Sequence, residues 1–275
     1  ESLTGEPGFF STRLAYVVRK KNKHLLIISD SDGYNERPAL ESNQSLISLA
    51  WSPVGDKLAY VSFETGKPIV FLHTLSSGKR NIIANYKGSN SSPTWSPDGK
   101  KLAFVLTKDG TSQVYTSDVK GEKLKRITRV RAINTEPNFS HDGKYLYYTS
   151  DQGGKPQIYR INSNGTGYPK RITFNRKFNA RPVAGPNGDY LAYVTTYEGD
   201  FVIAVMNLDS RVETILSGGP KDDSPSFAPN GRWLIFSSRI GGKEILSAVS
   251  VDGKVKTRIT MESGDIRSPA WGRIP

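Results

Sequence analysis

The sequence predicts an all-β fold: a six-bladed β-propeller of four-stranded antiparallel blades, its ring closed by the C-terminal strand joining the N-terminal blade. Three observations predict it. A turn followed by a short apolar strand recurs about every 44 residues. Polarity rises along the four strands of each repeat, and the chain starts and stops inside a repeat.

The leucine that opens the apolar strand stands at Leu14, Leu58, Leu102, Leu146, Leu191 and Leu234, so successive intervals are 44, 44, 44, 45 and 43 residues. The surrounding segments read TRLAYVV, WSPVGDKLAYV, WSPDGKKLAFV, FSHDGKYLYYT, AGPNGDYLAYV and FAPNGRWLIFS, so the register survives changes in the turn. A period in this range marks supersecondary units that bury their apolar faces only by stacking.

Within a repeat, Pro93 to Trp95 begin a first strand, and Ser96-Pro97-Asp98-Gly99 turn the chain. Proline presets φ, aspartate bonds nearby backbone, and glycine supplies the positive φ that a hairpin closes on. The second strand, Leu102 to Leu106, is apolar on both faces, as a strand buried between neighbours must be. After Lys108-Asp109-Gly110, a third strand from Gln113 to Ser117 alternates in polarity. A fourth runs through Lys125-Arg126-Ile127-Thr128 with its charges outward. Radially arranged sheets explain the gradient, because the inner strands are sandwiched between blades while the last faces water.

The final segment, Pro269-Ala270-Trp271, reads as a lone first strand. Its three missing partners are Thr12 to Val18, His24 to Ser29 and Glu36 to Leu40. Both ends of the chain therefore make one blade, which removes an open sheet edge. The unbroken repeat predicts a single propeller domain over residues 1–275.

A formal charge of +12, from 38 basic and 26 acidic side chains, raises nucleic acid as a partner. Many of the cations fall on fourth strands, as in Lys123-Lys125-Arg126, Lys170-Arg171 and Lys254-Lys256-Arg258, which reads as a solvated perimeter. With no groove-reading motif or stacking run, no nucleic-acid binding is expected. No apolar run approaches the ~20 residues of a membrane span. Zero cysteines exclude disulfide and thiol chemistry.

Catalytic constellations are weak. His24, His73 and His141 fall in different repeats, and there is no nucleophile elbow, phosphate-cradling glycine loop or paired-histidine metal motif. The turn aspartates serve backbone hydrogen bonding. The expectation is a protein that is not an enzyme and needs no cofactor. The sequons at Asn43, Asn90, Asn138 and Asn164 read as ordinary turn residues.

Departures from the repeat concentrate in the segments joining each fourth strand to the next first strand. They read as loops on one face: Ser89 to Ser92, Asn134-Thr135-Glu136, Asn179-Ala180-Arg181, Lys221 to Ser224 and Asp265-Ile266-Arg267. Rigid scaffolds carry binding on such loops, and these residue types suit a polar ligand, peptide or protein surface. Arg181 is nominated by loop position alone.

The stretches LTGEPGFFSTRLAYVV, SDSDGYN, NTEPNFSHDGKYLYYTSDQGGKPQIYRINSNGTGYPKRIT and SPAWGRIP resemble the propeller of the TolB family, periplasmic components of the Gram-negative Tol-Pal system. The resemblance spans essentially the whole chain. It implies a monomeric, non-enzymatic docking protein of the periplasm that binds the peptidoglycan-associated lipoprotein, supporting outer-membrane integrity and cell division. Colicin translocation peptides would use the same face and channel mouth. It nominates Asn134, Thr135 and Glu136 in NTEP, Ser89 and Asn90 before SPTW, and Asp222 and Asp223 in the acidic segment. The family often has histidine at the place of Ser89. Channel calcium occurs in the family, but no ligand set for it is legible here. The family's N-terminal α/β domain and its TolA-contacting segment do not precede Glu1, so the TolA contact is expected to be lost. The alternative reading is a propeller that binds carbohydrate or cell-wall ligands, or that regulates a peptidase.

Overall fold

The computed structural model describes residues 12–259 and 265–273, so the opening LTGEPGFF lies outside the described residues. Its regular structure is all strand, in six four-stranded antiparallel sheets set as a ring. Blade 1 orders Asp265–Arg273, Thr12–Lys20, Lys23–Asp30 and Arg37–Ser42. Blade 2 comprises Leu46–Trp51, Lys57–Ser62, Ile69–Thr74 and Arg80–Ala84, and blade 3 comprises Asn90–Trp95, Lys101–Leu106, Gln113–Asp118 and Lys125–Arg126. Blade 4 follows with Asn134–Phe139, Tyr145–Ser150, Gln157–Asn162 and Lys170–Arg171. Blade 5 has Asn179–Ala184, Tyr190–Tyr197, Asp200–Asn207 and Glu213–Ile215; blade 6 has Asp223–Phe227, Trp233–Ile240, Lys243–Ser250 and Lys256–Ile259.

The closure expected from the two chain ends is present. Leu14 pairs with Trp271 and Val18 with Ile266, and the Trp271 indole donates to Thr12 Oγ1 at 2.8 Å.

The core lies between blades, as the doubly apolar second strands require. One repeat position places Tyr16, Tyr60, Phe104, Tyr148, Tyr193 and Phe236 at 5% exposure or less. Each such ring contributes about 1.5–3 kcal/mol by leaving water. Neighbouring blades also interlock through their first-strand tryptophans. Trp51 donates to the Ala270 carbonyl and Trp95 to the Ala50 carbonyl, both at 3.1 Å. A Cβ on Gly272 would collide with the Trp51 indole, so blade 1 can accept that ring only with glycine there.

Two expectations need correction. The segments read as connecting loops mostly belong to the first strands, which begin at Asn90, Asn134, Asn179, Asp223 and Asp265. Their prolines are tolerated because this strand is the innermost of its sheet and has a free edge along the channel. The basic perimeter is also only partly a solvated rim. Arg80 folds back with its guanidinium 4.6 Å from the Phe71 ring centroid, donating to Tyr60 Oη at 2.7 Å and to Glu64 at 2.6 Å. Arg171 lies 4.8 Å from the Phe174 ring centroid. Lys123, Lys125, Lys170, Lys254 and Lys256 are exposed as expected.

Candidate functional site

Every first strand carries a bulge, and at each bulge one non-glycine residue takes a left-handed backbone. These residues are Ser48, Ser92, Glu136, Arg181, Ser224 and Ser268, with φ between 50° and 56°. Such a conformation costs an L-residue about 1–2 kcal/mol, and its recurrence in every blade means the fold over-determines it. The bulge shifts the pairing register, for instance between Thr135 and Asn138. All six residues line a central channel of about 530 Å³.

Four of the six are serine, and the two charged members are adjacent. The Arg181 backbone N–H donates to Glu136 Oε2 and to Thr149 Oγ1, each at 3.0 Å. Its guanidinium Nε lies 3.2 Å from Glu136 Oε1 and 3.1 Å from Asp223 Oδ1, while Nη1 donates to Ser224 Oγ at 3.0 Å. Thr149 completes the arrangement by donating to Glu136 Oε2 at 2.8 Å. A chain of charge thus runs across blades 4, 5 and 6. Pairs this exposed contribute about 0–1 kcal/mol each to stability.

Beside the mouth is a second cavity of about 560 Å³ that shares Glu136 and Arg181 and adds Asp223, Lys221, Glu244 and Arg267. Phe178 and Phe201 line it, edge to face with centroids 5.2 Å apart.

The nominated residues divide in two. Glu136, Arg181 and Asp223 meet in the chain just described, and Thr135 is half-buried on the strand beside it. Asn90 and Asn134 are 0% exposed and Asp222 is 1% exposed, so these three side chains stand behind the surface. Asn90 Nδ2 donates to the Tyr86, Pro68 and Gly88 carbonyls at 3.0, 3.1 and 3.2 Å. Asn134 Nδ2 donates to Gln113 Oε1 at 3.2 Å and to the Ala132 carbonyl at 3.1 Å. Asp222 accepts from Ser238 Oγ at 2.5 Å and from the Gly219 N–H at 3.0 Å. Each ties down the backbone from which the channel residue two positions later projects. Ser89 is half-buried, its N–H donating to Thr107 Oγ1 at 2.8 Å.

The sequence reading missed Ser48, Ser268 and Thr149. The signal for the serines was available: each stands three residues before a first-strand tryptophan, as in SLAW and SPAW.

Among the described residues, no group of three or more His, Asp or Glu lies close enough to hold a metal ion. Glu136, the carboxylate lining the channel among the described residues, is paired with Arg181. His73 is 3% exposed, and burial, reinforced by Arg80, holds its imidazole below the ordinary range.

The family profile described as TolB beta propeller domain matches residues 1–275. The Tol-Pal system protein TolB of Dechloromonas aromatica is 59% identical over 92 residues, 34% of this chain and 22% of that protein. That of Nitrosomonas europaea is 50% identical over 92 residues, with the same 34% and 22% coverage. These aligned stretches span about a fifth of the curated relatives. The crystal structure of TolB from Acinetobacter baumannii superposes with a TM-score of 0.90 at 38% identity, covering 99% of this chain and 69% of that one. A structure of putative TolB from Agrobacterium tumefaciens, at 16% identity and TM-score 0.74 over 96% of this chain and 99% of its own, shares the fold. With the profile spanning every repeat and a TolB structure overlaying the whole ring, this chain belongs to the TolB β-propeller family.

Proposed function

We propose that this propeller is a non-enzymatic docking module of the Tol-Pal system in the periplasm, binding the peptidoglycan-associated lipoprotein at the face where the first strands begin. Through that contact it would support outer-membrane integrity and division, and colicin translocation peptides would compete for the same face. Contact with TolA is not assigned to these residues.

The observation that carries this reading is the Glu136–Arg181–Asp223 chain at the channel mouth, spanning three rigid blades. Its groups are held by backbone and side-chain bonds before any partner arrives, so docking orders few side chains. A partner presenting complementary charges and polar groups would exchange with these exposed pairs, which favours register and specificity. Ser89, Asn90, Asn134, Thr135 and Asp222 belong to the proposal as the residues around and beneath that surface.

Calorimetry with the purified periplasmic domain of the lipoprotein tests it. Micromolar or tighter binding that Glu136→Ala weakens supports the reading. No heat of binding with the intact propeller defeats it.

A further inference from the structure

The junction between blades 4 and 5 differs from the other five on the opposite face, where first and second strands are joined. In each other blade the equivalent first-strand position holds an aromatic residue: Trp51, Trp95, Phe139, Phe227 or Trp271. Blade 5 has Ala184 at this position. The turn of blade 4 carries His141 where blades 2, 3, 5 and 6 have Pro53, Pro97, Pro186 and Pro229. Tyr147, at a repeat position held by alanine in Ala15, Ala59, Ala103 and Ala192, returns part of the missing aromatic volume from the facing blade.

A cavity of about 220 Å³ remains, lined by Ala184, Tyr147, His141, Arg160 and Arg211 among others. The Arg160 guanidinium is stacked 4.1 Å from the Tyr145 ring centroid, and Arg211 has its Nη1 3.9 Å from the Met206 sulfur. Neither arginine has an ion-pair partner among the described residues. Arg211 is also held at φ +63°, a strained backbone for a long side chain. Tyr147 lines the same cavity with a ring that is 3% exposed, and its hydroxyl, which keeps access to solvent, makes no hydrogen bond among the described residues. Tyr147 is the cross-strand neighbour of Arg160.

Two carboxylates stand at the same cavity. Asp142 is already satisfied by Ser140 Oγ at 2.6 Å, the Lys144 N–H at 3.1 Å and Lys144 Nζ at 3.3 Å. Asp209 and Arg211 are both exposed, so solvent and salt screen the carboxylate and that cation alike, whereas Arg160 is half-buried.

We propose that this junction is a binding site for a phosphoryl group on a small polar ligand, gripped by the Arg160 and Arg211 guanidinium groups and the Tyr147 hydroxyl in the space that Ala184 leaves open. Guanidinium forks match phosphate oxygens in geometry, and two of them with a phenolic donor suit a dianion better than a single carboxylate. The volume admits a ligand about the size of a hexose phosphate and excludes a folded partner.

The test is a titration of the propeller with glucose 6-phosphate, followed by NMR of the arginine side-chain N–H groups and by thermal melting. Saturable shifts with a dissociation constant of about 1 mM or below are expected, with acetate and glucose each at least tenfold weaker. Arg160→Gln with Arg211→Gln should abolish saturation without altering the melting temperature of the free protein. Ala184→Phe, which restores the repeat, should do the same. Lipoprotein binding at the other face should be unchanged in every variant, so failure here leaves the docking reading standing. An unsaturable wild-type response, equal response to acetate, or binding that survives the double substitution overturns the proposal.

Discussion

Arg181 grips Glu136 twice: its backbone N–H reaches one carboxylate oxygen at 3.0 Å, and its guanidinium reaches the other at 3.2 Å. The two residues lie 45 positions apart in adjacent blades, and both are held in the left-handed backbone region. Substitution at either end therefore exposes a charge that the other was holding.

Replacing Glu136 by alanine should weaken lipoprotein binding by about 2–5 kcal/mol, as when one partner of a charge pair is truncated at an interface. Folding should lose no more than about 1 kcal/mol, because Thr149 still accepts the Arg181 N–H. Calorimetry beside urea melting of Glu136→Ala, Arg181→Ala and the double variant measures both quantities and their coupling. A fall in stability that matches the fall in affinity would assign the pair to folding instead.

Backbone strain at the channel predicts opposite responses to two substitutions at Ser92, whose side chain makes no hydrogen bond among the described residues. Glycine should be neutral or stabilising by up to about 1 kcal/mol, whereas β-branched valine should lose about 1–2 kcal/mol. Urea unfolding midpoints of the two variants give the comparison.

Tyr148 is 0% exposed and its hydroxyl is buried without a partner among the described residues, while blades 3 and 6 carry phenylalanine at the equivalent position. Tyr148→Phe should therefore be neutral or stabilising by about 1 kcal/mol at neutral pH. Burial raises the phenols of Tyr148 and Tyr193, and lifts Tyr60 to about 12. A phenol whose folded pKa exceeds its unfolded value gives full stability below the unfolded value, near 10, and loses it as pH climbs toward the folded one. Stability should thus fall steeply above pH ~10, less so in Tyr148→Phe, as read by denaturant melts beside tyrosinate absorbance.

Removing residues 269–275 deletes Ala270 and Trp271 from the closing strand, and with them the bonds to Trp51 and Thr12. The ring should melt at a markedly lower temperature. Trp271→Ala alone should lose about 3–5 kcal/mol, as large buried aromatics do. An unchanged melting temperature for the truncated chain would contradict closure by this strand.

The leucine register, the Pro-Asp-Gly turns and the apolar second strands made the ring legible, because each signal is local and repeats with each blade. The start of the first strand was not legible. Asn90 and Asn134 resemble surface loop residues by composition, but their amides reach back to the preceding blade, to the Pro68 carbonyl and the Gln113 side-chain oxygen respectively. Asp222 misleads in the same way, since its carboxylate is buried on Ser238. Of the candidate site, Glu136 was reached through its place in the repeat and the NTEP resemblance, and Arg181 through loop position alone. That they touch depends on the bulge, which aims both side chains into the channel and leaves no compositional mark.

The clasp in blade 1 also sets how the ring responds to force. Thr12 and Arg273 are paired at one end of the same ladder, so tension applied to the two chain ends parts that ladder one rung at a time. Bonds peeled in sequence yield at far lower load than bonds sheared together. The strand pair that closes the ring is thus the first to open when the two ends are pulled, and its opening rate, not the folding free energy, would set the lifetime of the propeller under load.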